Sequence, residues 1–447
     1  MKNKFNNILV SESTKIKKIL MMIDQNGKNG VFVIKSQKIL GVITDADIRK
    51  SLLQGKLNKN SNAKSIMKKN FYSIPHTKKN LSKKILINSN KILIPILKKN
   101  KLIDYVHTSQ FDSNKNKISK KILVIGGLGY IGSVLVELLL KNKYKVNILD
   151  INFYGCKLSK RVLNNKNLKV YYGDCNHKAK LRKAIKDCTD VIHLGEIVGD
   201  PAVNLNKNFS IRNNYESTAF VVSECIKNRI NKFIFASSCS VYGESKIKCT
   251  ENSKLNPVSL YAKCKIECEK TILSFKSENF CPVILRLSTV YGDSPRKRFD
   301  LVVNRFILMA LKKININLYG GNSWRPFISV NDVTRSFLKI LHSDEKIIKR
   351  QIFNLGGETQ NFKIIDIIYQ IKKSLKINFQ KVKEVDDKRN YKVSFKKISK
   401  VLRFHPKDSL KKSITDLIHK YKKIKMNERD VNDYNDKKIA KILTLEK

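Results

Sequence analysis

One stretch, residues 121–150, constrains the fold of this chain more than any other. The apolar run at 122–125 has the composition of a buried parallel strand. Glycines then follow at G-x-x-G-x-x-G spacing and open a helix that we predict over about 131–140. A second strand, at 145–149, ends on Asp150. This order predicts a β-α-β unit of the kind that binds a dinucleotide.

The glycines and the terminal acid each have a physical role in such a unit. The tight turn, the approach of backbone N–H groups to a pyrophosphate, and the close packing of helix on strand each require a glycine, and the helix N-terminus adds positive charge. An acid at the second strand can hold a ribose 2′-hydroxyl and would repel a 2′-phosphate, which favours NAD over NADP. The predicted cofactor contacts of this unit are Gly126, Gly129, Tyr130, Ile131, Gly132 and Asp150.

The formal net charge of +53 over 447 residues resembles that of nucleic-acid-binding proteins. Lysine is, however, spread along the whole chain together with abundant Asn and Ile, and no arginine-rich arm, zinc spacing or aromatic–basic ladder concentrates it. We therefore expect a general preference for anionic ligands and no specific nucleic-acid partner.

The cysteine pattern and the hydropathy both indicate a cytoplasmic protein. All nine cysteines lie between Cys156 and Cys281 without a C-x-x-C pair, which predicts reduced thiols and no metal site. No apolar run approaches the ~18 residues needed to cross a bilayer, and the N-terminus has no apolar signal core. We expect a soluble protein with no membrane partner.

From residue 122 onward apolar strands and helices alternate, as a doubly wound parallel α/β sheet requires. After about residue 300 the alternation weakens, which predicts a smaller C-terminal substrate lobe. The further predicted elements are strands at 168–172, 191–194, 232–237 and 282–287 and a helix at 218–227. This Rossmann domain with its lobe is expected over 121–424, and a surface helix or frayed tail over 425–447.

Residues 1–111 precede the glycine loop and form a separate unit, joined to it by a polar linker at 112–120. A helix is predicted at 14–23, paired strands at 31–34 and 39–44, and a helix at 45–53. The pattern recurs about 63 residues later, at 85–87, 92–97 and 102–106. Such a duplication predicts two similar modules that pack on each other.

The segment GVITDADIRK, residues 41–50, resembles the signature of a tandem CBS-domain (Bateman) module. In that family the Thr and Asp of this motif, here Thr44 and Asp47, hold the ribose of an adenine nucleotide such as AMP or ATP. In the second copy His107 and Gln110 stand at these positions, so at most one nucleotide site is expected. The alternative is a module used only for dimerisation, and a homodimer is expected in either case.

A Tyr-x-x-x-Lys pair, Tyr261 and Lys265, provides the chemistry for moving a proton. The spacing places both side chains on one helix face, where an ammonium can lower the pKa of a phenol. Pairs at 421/425 and 434/438 match equally well, but only Tyr261 follows the glycine loop on a predicted helix after Pro257. Ser238 ends a strand some two dozen residues earlier. Together these groups predict alcohol–ketone interconversion beside a nicotinamide.

The glycine loop, Asp150, the Gly173-Asp174 pair, the segment SSCSVYG and the Tyr/Lys pair together resemble the extended short-chain dehydrogenase/reductase family over about residues 120–424. Within it, they resemble its NAD-dependent nucleotide-sugar epimerases and dehydratases. The resemblance implies that Ser238 is the catalytic hydroxyl, Tyr261 the acid/base and Lys265 the group that tunes it. It adds the cofactor contacts Asp174, Cys175, Leu194 and Asn214, besides Tyr261 and Lys265. The implied substrate contacts are Cys239, Ser240, Thr289, Asn304, Arg325 and Arg389, with Arg325 on the substrate diphosphate.

Two departures from the family pattern bear on the reaction. Dehydratases of the family carry an Asp-Glu pair directly after the catalytic hydroxyl, whereas Cys239 and Ser240 stand here, which disfavours dehydration. Glu196 stands where many relatives have a small residue, and it receives no role.

We therefore predict an NAD-dependent nucleotide-sugar epimerase, regulated by adenine nucleotide at the CBS module. One alternative is a net 4-ketoreductase or dehydrogenase that shares every site residue. Another is a sensor or scaffold that binds nucleotides without catalysis.

Overall fold

In the computed structural model the chain divides into two units, Met1–Ile118 and Ser119–Lys447. The structure describes residues 5, 7–26, 28–36, 38–58, 60–89, 93–107, 120–382 and 389–426. Most of the predicted linker and of the predicted tail, at 112–119 and 427–447, lies outside the described residues.

The first unit contains one strand and helix pattern twice. Its elements are β1 (Leu9–Val10), α1 (Ile16–Asn26), β2 (Gly30–Lys35), β3 (Lys38–Thr44), α2 (Asp45–Leu53), α3 (Ala63–Ile66), β4 (Ile74–Pro75), a 3-10 turn (His76–Leu81), α4 (Ser82–Ser89), β5 (Leu93–Lys98) and β6 (Lys101–His107). The strands form one sheet in the order β1-β2-β3-β6-β5-β4.

The strand register shows the duplication directly. The antiparallel pair β2–β3 runs from Gly30 opposite Thr44 to Lys35 opposite Lys38. The pair β5–β6 repeats this register from Leu93 opposite His107, and each partner lies 63 residues after its counterpart. The predicted internal duplication is therefore confirmed, and the recurring apolar segment at 85–87 lies in α4.

The second unit alternates strands and helices over most of its length. Its elements are β7 (Lys121–Ile125), α5 (Tyr130–Lys141), β8 (Lys145–Asp150), α6 (Lys160–Leu163), β9 (Leu168–Tyr172), α7 (Lys178–Ile185), β10 (Asp190–His193), α8 (Asp200–Leu205), α9 (Lys207–Ile211), a π turn (Arg212–Glu216), α10 (Ser217–Lys227), β11 (Lys232–Ser238), β12 (Glu244–Cys249), α11 (Leu260–Ser274), β13 (Cys281–Leu287), β14 (Thr289–Tyr291), α12 (Val302–Leu311), β15 (Ile316–Leu318), β16 (Trp324–Ser329), α13 (Val330–His342), α14 (Glu345–Ile348), β17 (Gln351–Leu355), β18 (Asn361–Lys363), α15 (Ile364–Lys372), β19 (Phe379–Lys381), β20 (Asn390–Val393), α16 (Lys396–Leu402) and α17 (Leu410–Tyr421).

Seven parallel strands form the main sheet of this unit in the order β17-β13-β11-β10-β7-β8-β9. The chain order reverses between β7 and β10, where Ile125 lies opposite His193. In such a sheet the crevice for a ligand forms at the carboxyl ends of the strands, at the point of reversal. The predicted doubly wound fold is confirmed, and it places the glycine loop at this crevice.

The side chains of β7 show why the strand is apolar throughout. Ile122 and Val124 belong to a core on one face, with residues of α5 and α13. Leu123 and Ile125 belong to a core on the other face, with residues of α7, α10 and α11. Because both faces are covered, a polar residue in β7 would be buried on either side.

A smaller lobe with a core of its own covers the carboxyl edge of the sheet. It contains the sheets β14-β16-β18 and β15-β19, and helices α12, α15 and α17 pack in its core. The short parallel pair β12–β20 places Asn390 beside Glu244. The lobe therefore brings late segments of the chain close to the end of β11.

Candidate active site

The glycine loop between β7 and α5 is held by contacts that no larger residue could make. Gly126 has a φ of 79°, and a Cβ added to it would lie 2.6 Å from the backbone nitrogen of Gly195. A Cβ added to Gly132 would lie 2.1 Å from the carbonyl oxygen of Gly126. These distances are between backbone atoms, so the loop could not adjust without opening.

The N-terminus of α5 is open to ligands. Gly129 is its N-cap residue, and no side chain caps the helix. An uncapped start leaves backbone N–H groups without intrahelical partners and carries partial positive charge. Gly126 and Gly129 both line the clefts at this edge of the sheet, so a pyrophosphate fits at this position.

Asp150 is tied to the same loop from the neighbouring strand. Its Oδ2 accepts a hydrogen bond from the Leu128 N–H at 2.8 Å, and its Oδ1 accepts one from the Asn152 N–H at 2.6 Å. Burial raises the pKa of Asp150, and the two backbone hydrogen bonds oppose this shift. A carboxylate has about four acceptor positions, so it retains acceptor capacity for ribose hydroxyls in the cleft that it lines.

Two clefts of about 740 and 1270 Å³ open along the carboxyl edge of the sheet. The Asp150 cleft is lined by the predicted cofactor contacts Gly126, Gly129, Asp150, Asp174, Cys175 and Leu194. The Tyr261 cleft is lined by the predicted residues Gly126, Gly129, Tyr130, Ile131, Gly132, Leu194, Ser238, Ser240, Tyr261, Lys265, Thr289, Arg325 and Arg389. Because the clefts share the glycine loop, one elongated ligand can lie in both. The glycine cradle, the uncapped helix and Asp150 fit NAD.

The three predicted catalytic side chains meet in the Tyr261 cleft. Ser238 ends β11, and its Oγ accepts a hydrogen bond from the Ser240 N–H at 3.1 Å. Ser259 caps α11, which places Tyr261 and Lys265 on its first two turns. The Lys265 Nζ lies 5.5 Å from the centre of the Tyr261 ring. The Tyr-x-x-x-Lys spacing thus places an ammonium beside the phenol.

The Lys265 ammonium is fully buried and held on two sides. It donates a hydrogen bond to the Ala236 carbonyl and forms an ion pair with Glu196. Burial is the largest influence and would by itself lower the pKa of Lys265, but the charges of Glu196 and Tyr261 and the hydrogen bond to Glu196 together outweigh it and raise the pKa to about 12. Glu196, which the sequence left without a role, is therefore part of the catalytic constellation.

Basic side chains line the outer part of the Tyr261 cleft. Arg325 is buried on β16; it donates to the Trp324 carbonyl at 2.9 Å, and its guanidinium lies 5.5 Å from the Tyr391 ring centre. Arg389 lines the same cleft from the segment before β20. A planar, oriented guanidinium suits the oxygens of a diphosphate.

Sequence reasoning missed two further arginines of this wall, Arg296 and Arg298. Arg298 forms an ion pair with Asp300, and Arg296 stacks on the Tyr154 ring at 3.8 Å. The segment SPRKRFD concentrates arginine in a lysine-rich chain, which was the available signal.

Three predicted contacts are not brought to either cleft, because their polar atoms are used inside the fold. The Asn214 amide exchanges hydrogen bonds of 2.8 and 2.9 Å with the backbone of Ile197. Asn304 holds the Gly292 backbone through bonds of 3.0 and 3.1 Å. Cys239 is buried against the Arg286 carbonyl. For these three residues the structure shows hydrogen bonds within the fold, and a direct ligand contact stays a prediction.

In the first unit Thr44 and Asp47 lie at the start of α2, where they satisfy each other. The Thr44 N–H donates to Asp47 Oδ2 at 2.9 Å, and the Asp47 N–H donates to Thr44 Oγ1 at 3.3 Å. The Lys68 Nζ lies 2.5 Å from Asp47 Oδ1. Burial acts to raise the pKa of Asp47, but the hydrogen bonds from Lys68 and Thr44 outweigh it and lower the pKa. His107 is buried, and Gln110 lies outside the described residues.

Within the described part of the chain, no helix is long and apolar enough to cross a membrane. The same part holds no group of three or more His, Cys, Asp or Glu side chains arranged for a metal ion.

The parallel sheet, the glycine loop with its acid, and the Ser/Tyr/Lys set define a dinucleotide-dependent enzyme acting on a hydroxyl or carbonyl group. A family model confirms this class: residues 122–356 match the NAD dependent epimerase/dehydratase family, and residues 4–54 match the CBS domain. The chain therefore belongs to the NAD-dependent epimerase/dehydratase family, with NAD as its cofactor, and carries an N-terminal CBS region.

The names of the proteins similar to this chain refer to more than one reaction. An uncharacterized UDP-glucose epimerase of Bacillus subtilis (strain 168), YtcB, is 30% identical over 67% of this chain and 96% of its own length. A UDP-N-acetyl-alpha-D-glucosaminuronate decarboxylase of Bacillus cytotoxicus is 27% identical over 69% of this chain and 99% of its own. The crystal structure of the UDP-glucuronic acid 4-epimerase from Bacillus cereus, with UDP-glucuronic acid and NAD, matches with a TM-score of 0.60 and 28% identity, over 67% of this chain and 99% of that one.

Proposed function

We propose that this protein is an NAD-dependent epimerase of a UDP-sugar that works through a transient keto intermediate. The observation that carries the proposal is the meeting of Ser238, Tyr261 and Lys265 in a cleft that shares its wall with the glycine loop. A sugar hydroxyl bound there would contact the acid/base group while its carbon faces the reactive end of the cofactor.

The residues of the cleft divide the work of such a reaction. Tyr261 takes the proton of the sugar hydroxyl, and Ser238 holds the same oxygen by a hydrogen bond. A bound NAD would supply reversible hydride transfer at the adjoining carbon. The Lys265 ammonium beside the Tyr261 ring stabilises the phenolate that accepts the proton. When the keto sugar turns over between the two transfers, Tyr261 returns the proton and the product is the epimer.

Arginines support a nucleotide diphosphate as the anchor of the substrate. Arg325 and Arg389 line the cleft beyond the catalytic groups, and both carry permanent charge. The pyrimidine nucleotide is proposed from the relatives, since YtcB is described as a UDP-glucose epimerase and the structure from Bacillus cereus holds UDP-glucuronic acid.

The cleft does not favour elimination of water. Cys239 follows Ser238 but is buried away from the cleft, and Ser240 lines it with a hydroxyl rather than a carboxylate. A net ketoreductase would use the same groups. The net change in NADH during turnover is therefore the property that distinguishes the two reactions.

The test is turnover of UDP-sugars by the full chain and by Tyr261→Phe. The wild type should interconvert epimers with no net formation of NADH. The variant keeps the ring and loses the proton donor, so turnover should fall by about 10² or more. Product analysis by NMR and absorbance of NADH measure both properties.

Tyr421→Phe is a matched control, because Tyr421 has the same spacing to a lysine but lies in the lobe core with its hydroxyl 3.4 Å from the Gly292 carbonyl. It should retain near-normal turnover. Normal turnover of Tyr261→Phe would remove Tyr261 from the mechanism, and stoichiometric NADH would show a dehydrogenase.

We also propose that the CBS region binds one adenine nucleotide at Thr44 and Asp47 and thereby regulates the enzyme. Asp47 is the supporting feature: it is a buried carboxylate at a helix start, and its Lys68 partner is mostly exposed. An exposed partner of this kind contributes only about 0–1 kcal/mol, so a ribose diol could replace it.

A further inference from the structure

The catalytic lysine has a counter-ion within the fold. Glu196 follows β10, and its side chain and that of Lys265 are 3% and 4% exposed. Its Oε1 has no hydrogen-bond partner among the described residues. A buried acceptor left unpaired destabilises the fold, so its presence here needs an explanation.

A further buried ion pair among the described residues, Glu269 with Arg286, shows what a purely structural pair looks like. Glu269 accepts hydrogen bonds from Arg286 Nε at 3.1 Å and from the Ser237 hydroxyl. Neither Glu269 nor Arg286 lines the Asp150 cleft or the Tyr261 cleft, whereas Glu196 lines both. Glu196 thus lies where a ligand passes from one cleft to the other.

The histidine and the two cysteines that face this ion pair are neutral. From β10, burial and then the charge of Lys265 lower the pKa of His193 to about 3, so the imidazole is neutral. From α11, burial raises the pKa of both Cys264 and Cys268, so they remain thiols. Tyr261 on α11 and the Phe235 ring on β11 complete the surroundings of the ammonium.

We infer that Glu196 is a positioning residue, which holds Lys265 in place and neutralises its charge, so that the site does not disfavour the oxidised, positively charged form of NAD relative to the reduced form. Burial raises the pKa of Glu196 above its usual value, and the charge and hydrogen bond of Lys265 oppose this shift. When Glu196 is ionised, the pair presents no net charge to the nicotinamide. Without it, the buried Lys265 charge would repel the positive ring of NAD but not the neutral ring of NADH. At an effective dielectric constant near 20, one uncompensated charge about 6–12 Å from the ring would change affinity by about a hundredfold to tenfold.

This inference deepens the proposed function, on which its biological meaning rests. An enzyme that removes a hydride from its substrate and gives it back must end each cycle with oxidised cofactor. A site that does not penalise NAD makes return of the hydride to the keto sugar more favourable than a site with an uncompensated Lys265 charge would. A small residue at position 196 would leave that charge uncompensated and so disfavour NAD.

The experiment measures the dissociation constants of NAD and NADH for the full chain after removal of resident cofactor. In Glu196→Gln the ratio of the NAD constant to the NADH constant should rise at least about tenfold, because only NAD is repelled. In Lys265→Met the ratio should fall, and in the double variant it should return towards the wild-type value. The ratio cancels any contact that both forms share.

Glu224→Gln is the matched control, since Glu224 is a buried carboxylate paired with Arg182 and Lys227 that lines neither cleft. It should leave the ratio unchanged. An unchanged ratio in Glu196→Gln would overturn the inference, as would a shift in the same direction for Glu196→Gln and Lys265→Met. If Glu196→Gln does not fold, the ratios measured for Lys265→Met and for the double variant test the inference. No sugar is present, so an absence of epimerase activity would not affect the result.

Discussion

Two strand-to-helix junctions of this chain carry nucleotide-binding motifs, yet their helix N-termini are in opposite states. At α5, Gly129 provides no side-chain cap, and Asp150 holds the loop from the next strand. At α2, the Thr44 side chain caps the helix, and the Asp47 carboxylate accepts a hydrogen bond from the Thr44 N–H. Lys68 pairs with the same carboxylate. The first junction leaves its N–H groups for a ligand, and the second satisfies its own.

This difference indicates how much each junction can gain from a nucleotide. At the open junction a pyrophosphate meets donors that have no partner, so its full interaction counts toward binding. At the closed junction a ribose must replace hydrogen bonds that already exist, so only the difference counts. We therefore expect strong cofactor binding in the second unit and weaker nucleotide binding in the first.

Closing the open junction should have the largest effect. Gly132→Ala would place a methyl group 2.1 Å from the carbonyl oxygen of Gly126, so the loop must open. Overpacking typically costs about 1–3 kcal/mol and occasionally more, and a clash with backbone lies at or above the upper end, so NAD affinity should fall about 150-fold or more. Calorimetry with NAD measures this loss.

Gly357→Ala is the control for that variant, because its added Cβ would lie 3.3 Å from the side chains of Gln360 and Pro406, with no backbone atom among its nearest neighbours. It should bind NAD like the wild type. If Gly132→Ala bound NAD within a few-fold of the wild type, close packing of the loop would not be what makes the junction a cofactor site.

Removing the acid of the open junction should have an intermediate effect. Asp150→Ala loses a charged acceptor for ribose hydroxyls and leaves the N–H groups of Leu128 and Asn152 without this partner. Hydrogen bonds to charged groups contribute about 1.5–3 kcal/mol, so NAD should bind about 10- to 150-fold more weakly. Titrations with NAD and NADP measure both cofactors, and tighter binding of NADP by the wild type would contradict this role.

The closed junction should show the smallest effect. Asp47→Ala should weaken adenine-nucleotide binding only about 2- to 12-fold, the equivalent of a net 0.5–1.5 kcal/mol, because the ribose merely exchanges with Lys68 and Thr44. Calorimetry with AMP, ADP and ATP in excess NAD, alongside rate measurements, tests both binding and regulation. Asp45→Ala is the control, since Asp45 pairs at the surface with Arg49. No heat and no change in rate with any of the nucleotides would leave the module as a dimerisation device.

The elements closest to a local pattern could be predicted from sequence. The predicted strand at 168–172 coincides with β9, and the one at 232–237 falls short of β11 by one residue. β11 is an apolar strand buried along almost its whole length, which leaves a strong compositional signal. β9 is a partly exposed edge strand, and its Val and Tyr residues are typical of strands. The duplication in the first unit was equally visible, because the same repeat distance separates the elements of the first copy from their counterparts in the second.

The partners of polar side chains could not be predicted in the same way. Asn214 and Asn304 were expected at ligands, but both hold backbone groups inside the fold. Asn304 reaches the turn at Gly292, and this contact forms only when α12 packs beneath it. A family motif identifies the position of such a residue without identifying the atom that it satisfies.

The β-α-β unit, the duplicated N-terminal module and the Tyr261 and Lys265 pair could be predicted from the sequence, because they depend on spacing along a strand or a helix. The ion pair of Glu196 with Lys265, 69 positions away, could be seen only in the folded protein. The same is true of the hydrogen bonds between Thr44 and Asp47 and of the uncapped start of α5. Hydrogen bonding and burial depend on which segments the sheet brings together, and no local pattern encodes that neighbourhood.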